Sequence, residues 1–316
     1  MNQTVLVTGS TGFLGRHLMP VLKEAYGVSN VIGTSSQDFD LMRYGSAEEM
    51  LKKYSPDVVI HLAAYSGGIG ANAKYPADFF FRNIQLVSNM FDAAARFKVK
   101  KMIYPMGGCS YPAKAKSPIG ENQMWSGYPQ IESAGYSVAK KMGIVASQSY
   151  RHQFNLNSVV LIPGNMYGEF DNFRESESHV VPAMVRRYYE AKLRGQKEIE
   201  MWGDGSPLRD FVYAGDVAKA ILWFVTNYDS SEPVNISSGT EISIKELAET
   251  IKSKMNWDGE IKWDIKKPNG QLIKIFDTKK FNDLGLSCDT SMADGLDKTI
   301  GWLEKNYATS GDGLRI

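Results

Sequence analysis

The first half of the chain alternates short apolar runs with longer segments of helical periodicity. Residues 58–63 (VVIHLA) are apolar on both faces of a strand, and glycines follow at 67–68. Such strands need cover on both faces, which a parallel sheet obtains from the helices that join its strands. The sequence therefore predicts an α/β fold with a doubly wound parallel sheet. The predicted strands are 4–8, 31–33, 58–63, 101–106, 158–162 and 234–236, and the predicted helices are 13–26, 77–97, 135–154, 180–194 and 216–227.

After Pro163 the alternation becomes irregular. A turn is predicted at 202–207 (WGDGSP), and the chain is more polar beyond about residue 239. No repeat, low-complexity tract or flexible linker separates the two parts, which indicates that they exchange chain segments. We expect one domain to comprise residues 1–163 and 208–238, and a smaller, interleaved C-terminal α+β lobe to comprise residues 164–207 and 239–316.

Charge and composition exclude several classes of protein. The chain has 36 basic and 35 acidic side chains, so it offers no overall basic field for a nucleic acid. No apolar run reaches the roughly 18–20 residues of a membrane span, and the first residues lack the basic start of a signal peptide. Its 2 cysteines form no CxxC pair. We expect a cytoplasmic globular protein with no metal site and no nucleic-acid or membrane partner.

Three glycines, Gly9, Gly12 and Gly15, lie between the first predicted strand and the first predicted helix. Glycines there let the backbone turn tightly and approach a pyrophosphate, whose charge meets the helix N-terminus. The spacing is G-x-x-G-x-x-G, and glycine triplets also occur in ordinary turns. At the first strand–helix junction of a parallel sheet, however, dinucleotide binding is favoured. This makes the predicted sheet a Rossmann-type sheet.

The end of the second strand bears on the choice of dinucleotide. An acidic residue there would hold an unphosphorylated ribose and repel a 2′-phosphate. Here Ser35 and Ser36 follow the strand, and the first acid comes only at Asp38. Hydroxyl-bearing residues, with Arg16 nearby, suit a phosphate, which favours NADP(H). NAD(H) stays possible, and so does a polar turn without contact to the cofactor.

Tyr136 and Lys140 lie four residues apart in a predicted helix and so share one face. A nearby cation lowers the pKa of a tyrosine, which would make the phenol a usable proton donor and acceptor. The same spacing recurs at Tyr188 and Lys192, where we assign it no function. The position of Tyr136 after a strand of the predicted sheet is what distinguishes it.

Further motifs make the chain similar to a known family. They are HLAA at 61–64, GGIGAN at 67–72, YPADF at 75–79, CSYP at 109–112, NMYG at 165–168, DNF at 171–173, SHVVP at 178–182, RR at 186–187, and WG at 202–203 leading to Arg209. With the glycine loop and the Tyr136/Lys140 pair, they resemble the extended short-chain dehydrogenase/reductases that act on nucleotide sugars. Among these, the chain is most similar to the GDP-L-fucose synthase family. The resemblance runs nearly end to end.

This resemblance implies NADPH-dependent epimerisation and C4 reduction of a GDP-4-keto-6-deoxy sugar by a homodimer. It implies that Tyr136 protonates the C4 oxygen, that Lys140 holds the nicotinamide ribose, and that Cys109 and His179 exchange protons at the flanking carbons. The implied cofactor-binding residues are Gly9, Thr11, Gly12, Phe13, Leu14, Gly15, Arg16, Ser35, Ser36, Asp40, Leu41, Leu62, Ala63, Ala64, Lys140, Pro163, Asn165 and Met166. The implied substrate-binding residues are Asn165, His179, Val180, Arg187, Trp202 and Arg209.

One position departs from the family pattern. The family carries two serines before the cysteine, the first of which shares the C4 oxygen with the tyrosine, whereas this chain has Gly107 and Gly108. If the segment is extended, Ser110 points to the other face. Ser133 or a water could then stand in for the missing hydroxyl. Losing one such donor costs about 2.7–4 kcal/mol in the transition state.

This departure keeps other functions open. One alternative is a 4-keto reductase or an epimerase of a related NDP-hexose or NDP-heptose. Another is a cofactor-binding regulatory protein without catalysis. A lone Cys109 would more often be a small buried hydrophobic residue. The joint presence of Tyr136, Lys140, Cys109 and His179 argues for an enzyme.

Overall fold

A computed structural model describes residues 3–174, 177–267 and 269–310. The parts of the predicted domains at 1–2, 175–176, 268 and 311–316 lie outside the described residues. The strands are β1 (Val5–Thr8), β2 (Val31–Thr34), β3 (Val58–His61), β4 (Lys101–Pro105), β5 (Ser158–Pro163), β6 (Asn165–Tyr167), β7 (Glu198–Trp202), β8 (Leu208–Tyr213), β9 (Val234–Ile236), β10 (Glu241–Ser243), β11 (Glu260–Asp264) and β12 (Ile273–Lys274). The α-helices are α1 (Phe13–Tyr26), α2 (Ser46–Tyr54), α3 (Ile69–Lys74), α4 (Pro76–Arg96), α5 (Ala134–Phe154), α6 (Val180–Leu193), α7 (Ala214–Asn227), α8 (Ile244–Lys254), α9 (Lys279–Asp283) and α10 (Met292–Ser310).

The larger sheet has six parallel strands in the order β2-β1-β3-β4-β5-β9. Every residue of β1, β3, β4 and β5 is buried, because helices cover both faces. Side chains from α2, α4 and α5 form the core on one face, and side chains from α1 and α7 form the core on the other. This is a Rossmann-type doubly wound sheet, and the predicted fold class is confirmed.

A smaller lobe packs around a third core. Strands β10, β8 and β12 form a sheet in that order, β6 pairs with β8, and β7 pairs with β11. Helices α6, α8 and α10 supply most of the apolar side chains of this core. At the start of α8, Ser243 and Glu246 form a reciprocal capping box that satisfies free N–H groups of the first turn.

Sheet topology changes one detail of the predicted division. Strand β8 falls within 208–238, which we assigned to the larger domain, yet it pairs only with strands of the smaller sheet. The chain returns to the larger domain with α7, which packs against α1, and with β9, the sixth strand. Apart from β8, the predicted division stays a prediction. The exchange of segments places the carboxyl ends of β1, β3, β4 and β5 beside the smaller lobe, where ligands of such sheets bind.

Candidate active site

The loop between β1 and α1 packs too closely for side chains. Gly9 has a φ of +69°, and a Cβ there would lie 2.8 Å from the Ala63 nitrogen. A Cβ on Gly15 would lie 2.5 Å from the Gly9 carbonyl oxygen. The contact between Gly9 and Ala63 places the loop against the end of β3, where the cofactor-binding residues Leu62, Ala63 and Ala64 are predicted.

The N-terminus of α1 fits the diphosphate of a dinucleotide. Gly12 is the N-cap residue, and no side chain caps the helix. The first N–H groups of a helix have no partner within it, so those of Phe13, Leu14 and Gly15 are free to bind an anion. Backbone donors and close-packed glycines are what a dinucleotide loop requires, and the residues present therefore fit the cofactor.

His61 supports this loop from within the sheet. Its Nδ1 lies 2.8 Å from the Thr8 hydroxyl oxygen, which also accepts a hydrogen bond from the Ala63 N–H at 3.3 Å. Burial, with a smaller contribution from the Lys140 ammonium, lowers the pKa of His61 to about 3. His61 is therefore a neutral residue of the core that orders the end of β3.

Beyond β2, the predicted phosphate-binding residues are arranged differently from the sequence-based expectation. The Ser35 N–H and hydroxyl both donate to the Asp38 carboxylate, each at 2.8 Å. Arg16 donates to the Thr11 carbonyl at 3.2 Å, and its guanidinium lies 5.4 Å from the centroid of the Phe170 ring. The Asp40 carboxylate accepts from the Met42 N–H at 3.0 Å, and Leu41 is buried. Ser36 is exposed.

Tyr136 and Lys140 lie in the first two turns of α5. Burial and the Cys109 sulfur raise the pKa of Tyr136, so the phenol is protonated at neutral pH. Burial lowers the pKa of Lys140 to about 7, and its ammonium lies 4.3 Å from the centroid of the Tyr104 ring. The expectation that Lys140 lowers the pKa of Tyr136 is wrong for this structure, because desolvation of the phenol dominates.

Cys109 lies in a short 3₁₀ turn, Gly108–Ser110, after β4. The turn packs against Phe276 too closely for a side chain at Gly108, whose Cβ would lie 2.5 Å from the Phe276 ring. A Cβ on Gly107 would lie 3.1 Å from the Cys109 sulfur and 3.7 Å from the Tyr136 hydroxyl oxygen. The segment is thus not extended, and the family serine position adjoins both catalytic candidates. Ser110 is fully buried, which leaves it out of contact with solvent.

Ser133, the other candidate for the missing hydroxyl, is the N-cap residue of α5 but makes no capping hydrogen bond. Its hydroxyl donates to the Gln130 carbonyl at 3.4 Å.

His179 is the N-cap residue of α6. Its side chain is open to solvent, yet protein surrounds it closely enough that desolvation lowers its pKa. The Lys274 ammonium lowers the pKa of His179 further. The imidazole is therefore neutral over most of the physiological pH range and is able to accept a proton.

Lys274 is a residue that the sequence-based analysis missed. In β12 it pairs with Arg209 of β8, and burial together with the Arg209 guanidinium lowers its pKa. The Cys109 sulfur acts in the opposite direction and raises it. Lys274 thus lies within electrostatic range of Cys109, His179 and Arg209. No local motif marks this lysine, because its placement depends on a two-residue strand that pairs 65 positions away in the chain.

Among the predicted substrate-binding residues of the smaller lobe, Arg209 is half-buried, whereas Arg187, Trp202 and Val180 are exposed. Arg209 is half-buried beside Lys274, and its guanidinium donates to the Leu208 carbonyl at 2.8 Å. Arg187 donates to the Glu200 carbonyl at 2.8 Å and is exposed. Its neighbour Arg186 pairs instead with Glu190 and with the Phe173 carbonyl. Trp202, at the end of β7, is 64% exposed, and Val180, the first residue of α6, is 41% exposed.

The remaining predicted residues follow β5. Pro163 ends this strand, and its carbonyl oxygen would lie 3.2 Å from a Cβ on Gly108. Asn165 donates to the Asp210 carbonyl at 2.9 Å, and Met166 packs against the core on the α1 side of the sheet. They thus border the Cys109 turn on one side and the smaller lobe on the other.

The GGIGAN motif connects the two lobes. Gly68 donates its N–H to the Glu177 carbonyl at 2.8 Å, and a Cβ on Gly68 would lie 2.7 Å from that oxygen. The Asn72 amide donates to the carbonyls of Gly67 and Gly68 at 2.8 Å and 3.0 Å. The loop after β3 therefore holds the backbone two residues before His179.

Two negative findings concern the described part of the chain. No group of three or more His, Cys, Asp or Glu side chains there could hold a metal ion. Within the same residues, no helix has the length and apolar character needed to cross a membrane.

Comparison with known proteins identifies the family. The profile of the NAD dependent epimerase/dehydratase family matches residues 5–237. GDP-L-fucose synthase 1 of Arabidopsis thaliana is 37% identical over 302 residues, 96% of this chain and 93% of the relative. The structure of a GDP-L-fucose synthetase from Naegleria fowleri bound to NADP superposes with a TM-score of 0.87 at 30% identity, covering 98% of this chain and 96% of the other.

A GDP-mannoheptose C4 reductase from Campylobacter jejuni with NADP bound has a TM-score of 0.86 at 26% identity, with 96% of this chain and 98% of the other covered. The chain belongs to the NAD dependent epimerase/dehydratase family, whose members are NAD(P)-dependent enzymes, and the predicted resemblance to the GDP-L-fucose synthase group is confirmed.

Proposed function

We propose that this protein catalyses NADPH-dependent epimerisation and C4 reduction of a GDP-4-keto-6-deoxy sugar. The observation that carries the proposal is a continuous set of interacting charged and titratable groups. Cys109 interacts electrostatically with Tyr136, Lys140 and Lys274, and Lys274 in turn interacts with His179 and Arg209. A Cβ on Gly107 would lie 3.1 Å from the Cys109 sulfur and 3.7 Å from the Tyr136 hydroxyl oxygen, so the thiol and the phenol adjoin one position. These groups form one candidate site, which would offer a substrate two proton-exchanging side chains, a phenol donor and two cations. The GDP-sugar relatives support the choice of substrate.

The cofactor of the proposed reaction is NADP(H), which supplies hydride to the C4 carbon when bound. The NADP-bound relatives support this choice. On this chain, the free N–H groups at the start of α1 bind the diphosphate. We assign Leu62 and Ala63, which follow β3, and Pro163, which ends β5, to the part of the cofactor site between the diphosphate and the catalytic groups.

The proton chemistry follows from the protonation states. A C4 ketone acidifies the hydrogens on C3 and C5, and Cys109 and His179 invert these carbons by removing and returning protons through an enolate. His179 is suited to accept a proton because it is neutral. Tyr136, protonated at neutral pH, gives its proton to the C4 oxygen during reduction. Lys140, with a pKa of about 7, can then return a proton to the phenolate.

Two cations serve the substrate's diphosphate. Arg209 and Lys274 lie side by side on paired strands, where a guanidinium meets phosphate oxygens in bidentate fashion and an ammonium adds charge. Arg187 and Trp202 lie in the same lobe, and the role that we assign to them is to hold the nucleotide.

Turnover with a defined substrate tests the proposal. The full chain is given GDP-4-keto-6-deoxy-D-mannose and NADPH in deuterium oxide, and the product is analysed by NMR. We expect loss of NADPH and deuterium at C3 and C5. Tyr136→Phe should abolish reduction, and Cys109→Ser should abolish deuterium incorporation without loss of NADP binding. Absence of turnover with this and related 4-keto sugars would refute the enzyme proposal.

A second candidate is the C4 reduction of a related GDP-heptose. The departure from the family serine at Gly107, beside Tyr136 and Cys109, favours it, as does the heptose reductase relative. Reduction without deuterium incorporation would distinguish a reductase from an epimerase/reductase, and epimerisation without net loss of NADPH would indicate a recycled cofactor. A regulatory protein that only binds the cofactor would show neither.

We also propose a homodimer formed by α4 and α5. These helices pack together and expose Phe80, Phe81, Val145 and Phe154, an apolar surface that suits a second copy of the chain. Light scattering should give twice the chain mass, and Phe81→Glu should give the monomer.

Both cysteines are free thiols, which favours a cytoplasmic location.

A further inference from the structure

The first acid after β2 is three residues later in sequence than Ser35, but a turn brings it back. The N–H groups of Asp38 and Phe39 both donate to the Ser35 carbonyl at 3.1 Å. In this turn the Asp38 carboxylate accepts from the Ser35 N–H and from the Ser35 hydroxyl. The hydroxyl oxygen of Ser35 in turn accepts from the Gln37 N–H at 3.3 Å. All the polar groups that Ser35 could offer to a ligand therefore have partners inside the turn.

These are groups that a 2′-phosphate would use at the end of β2, where the second predicted residue, Ser36, is exposed. The Asp38 carboxylate occupies their donors and adds a negative charge, which its hydrogen bonds with Ser35 maintain by lowering the pKa of Asp38. Asp38 is exposed and follows β2, the edge strand, and in dinucleotide-binding folds an acidic residue after this strand accepts hydrogen bonds from ribose hydroxyls.

Arg16 and Arg43 are engaged by other groups, and Lys53 has the smallest effect among the interactions that lower the pKa of Asp38. Arg16 donates to the Thr11 carbonyl, away from the turn. Arg43 forms an ion pair with Glu49. Lys53 has an electrostatic effect on Asp38, but its ammonium lies over the Phe39 and Tyr54 rings, at 5.6 Å and 5.0 Å from their centroids. A 2′-phosphate would thus meet a carboxylate before it meets a free guanidinium.

We propose that Asp38 sets the cofactor preference of this chain. Its carboxylate holds the adenosine ribose of NAD(H) and competes with the 2′-phosphate of NADP(H) for Ser35. Both dinucleotides therefore bind, and the advantage of NADPH over NADH is small. The inference rests on the dinucleotide site of the proposed function, but it concerns Asp38 alone and needs no sugar substrate for its test.

Equilibrium binding separates the contribution of the carboxylate from that of the turn. The Kd values of NADP⁺ and NAD⁺ are measured by calorimetry on the full chain, on Asp38→Asn and on Glu24→Gln. Asparagine keeps an oxygen that can accept from the Ser35 N–H, so the variant removes the charge and preserves the turn. Glu24→Gln removes the same charge from an exposed position near the C-terminal end of α1.

We expect Asp38→Asn to bind NADP⁺ about tenfold more tightly, because a like charge near a phosphate is removed. NAD⁺ should bind it several-fold more weakly, and Glu24→Gln should match the unaltered chain. The gain for NADP⁺ should shrink as salt is raised. If both dinucleotides bind and Asp38→Asn leaves the ratio of their Kd values unchanged, the inference fails and the proposed function stands. If neither binds the unaltered chain, both fail.

Discussion

Gly107→Ser tests how the catalytic groups share the C4 oxygen. Gly107 has a φ of −94° and a ψ of 143°, which any residue adopts, so the change brings no backbone strain. The new Cβ would lie in ordinary contact with the Tyr136 ring at 3.5 Å and 3.7 Å from its hydroxyl oxygen. The serine hydroxyl would therefore reach the oxygen that Tyr136 protonates.

The magnitude follows from two opposing effects. One added hydrogen-bond donor at a developing oxyanion contributes about 2.7–4 kcal/mol, or roughly 10²–10³ in kcat. Against this, the Cβ would lie 3.1 Å from the Cys109 sulfur, closer than ordinary contact, so the thiol must move by a few tenths of an ångström. We expect reduction to accelerate by about 10²-fold and deuterium incorporation at the flanking carbons to fall.

Single-turnover NADPH oxidation with GDP-4-keto-6-deoxy-D-mannose measures the first effect, and NMR in deuterium oxide measures the second. Gly107→Ala is the matched control, because it adds the same Cβ without a hydroxyl. If the serine and alanine variants reduce the substrate at the same rate, the hydroxyl has no role and the reasoning is refuted. If both variants lose activity towards this sugar but the unaltered chain accepts a heptose, the space at Gly107 is part of the substrate pocket.

Three further changes test other parts of the structure. Gly68→Ala places a Cβ 2.7 Å from the Glu177 carbonyl oxygen, two residues before His179. Deuterium incorporation should therefore fall at least tenfold, while the affinity for NADP⁺, measured by calorimetry, is unchanged. An equal loss of both would contradict a specific effect on His179. Lys274→Met removes a cation that lowers the pKa of His179, so that pKa should rise and the acidic limb of the pH profile of deuterium incorporation should move to higher pH; an unmoved limb would contradict the assigned interaction. Ser243→Ala breaks the capping box of α8 and should lower the free energy of unfolding by about 1 kcal/mol in urea titrations, with kcat unaltered. An unchanged free energy of unfolding would contradict a stabilising role for this cap.

Periodicity alone was sufficient for most of the larger domain. Helix α1 has the predicted bounds, Phe13–Tyr26, and the predicted strand at 234–236 is β9. These elements are buried on one stripe or on both faces, so their apolar pattern follows their environment. Strands of the smaller lobe could not be predicted in the same way. Strand β12 has two residues, too few to carry a pattern, and it forms because β8 offers it a partner.

The candidate site shows the same division. A family resemblance in the sequence singled out Tyr136, Lys140, Cys109 and His179 as candidates, and helical spacing supported Tyr136 and Lys140. Their protonation states were beyond the sequence. Burial raises the pKa of Tyr136 against the expected effect of Lys140, and burial is a property of the packed structure.

By itself, the sequence determined the parallel sheet and the glycine loop, since each depends on neighbours within a few positions, and its resemblance to a family suggested the proposed proton-exchanging residues. Only the tertiary structure decided that Lys274 joins Arg209 and His179, and that Asp38 turns back to hold Ser35. Electrostatic interactions and hydrogen bonds depend on distance in space. In this protein that distance is set by strand pairing and by a turn, neither of which the spacing along the chain reveals.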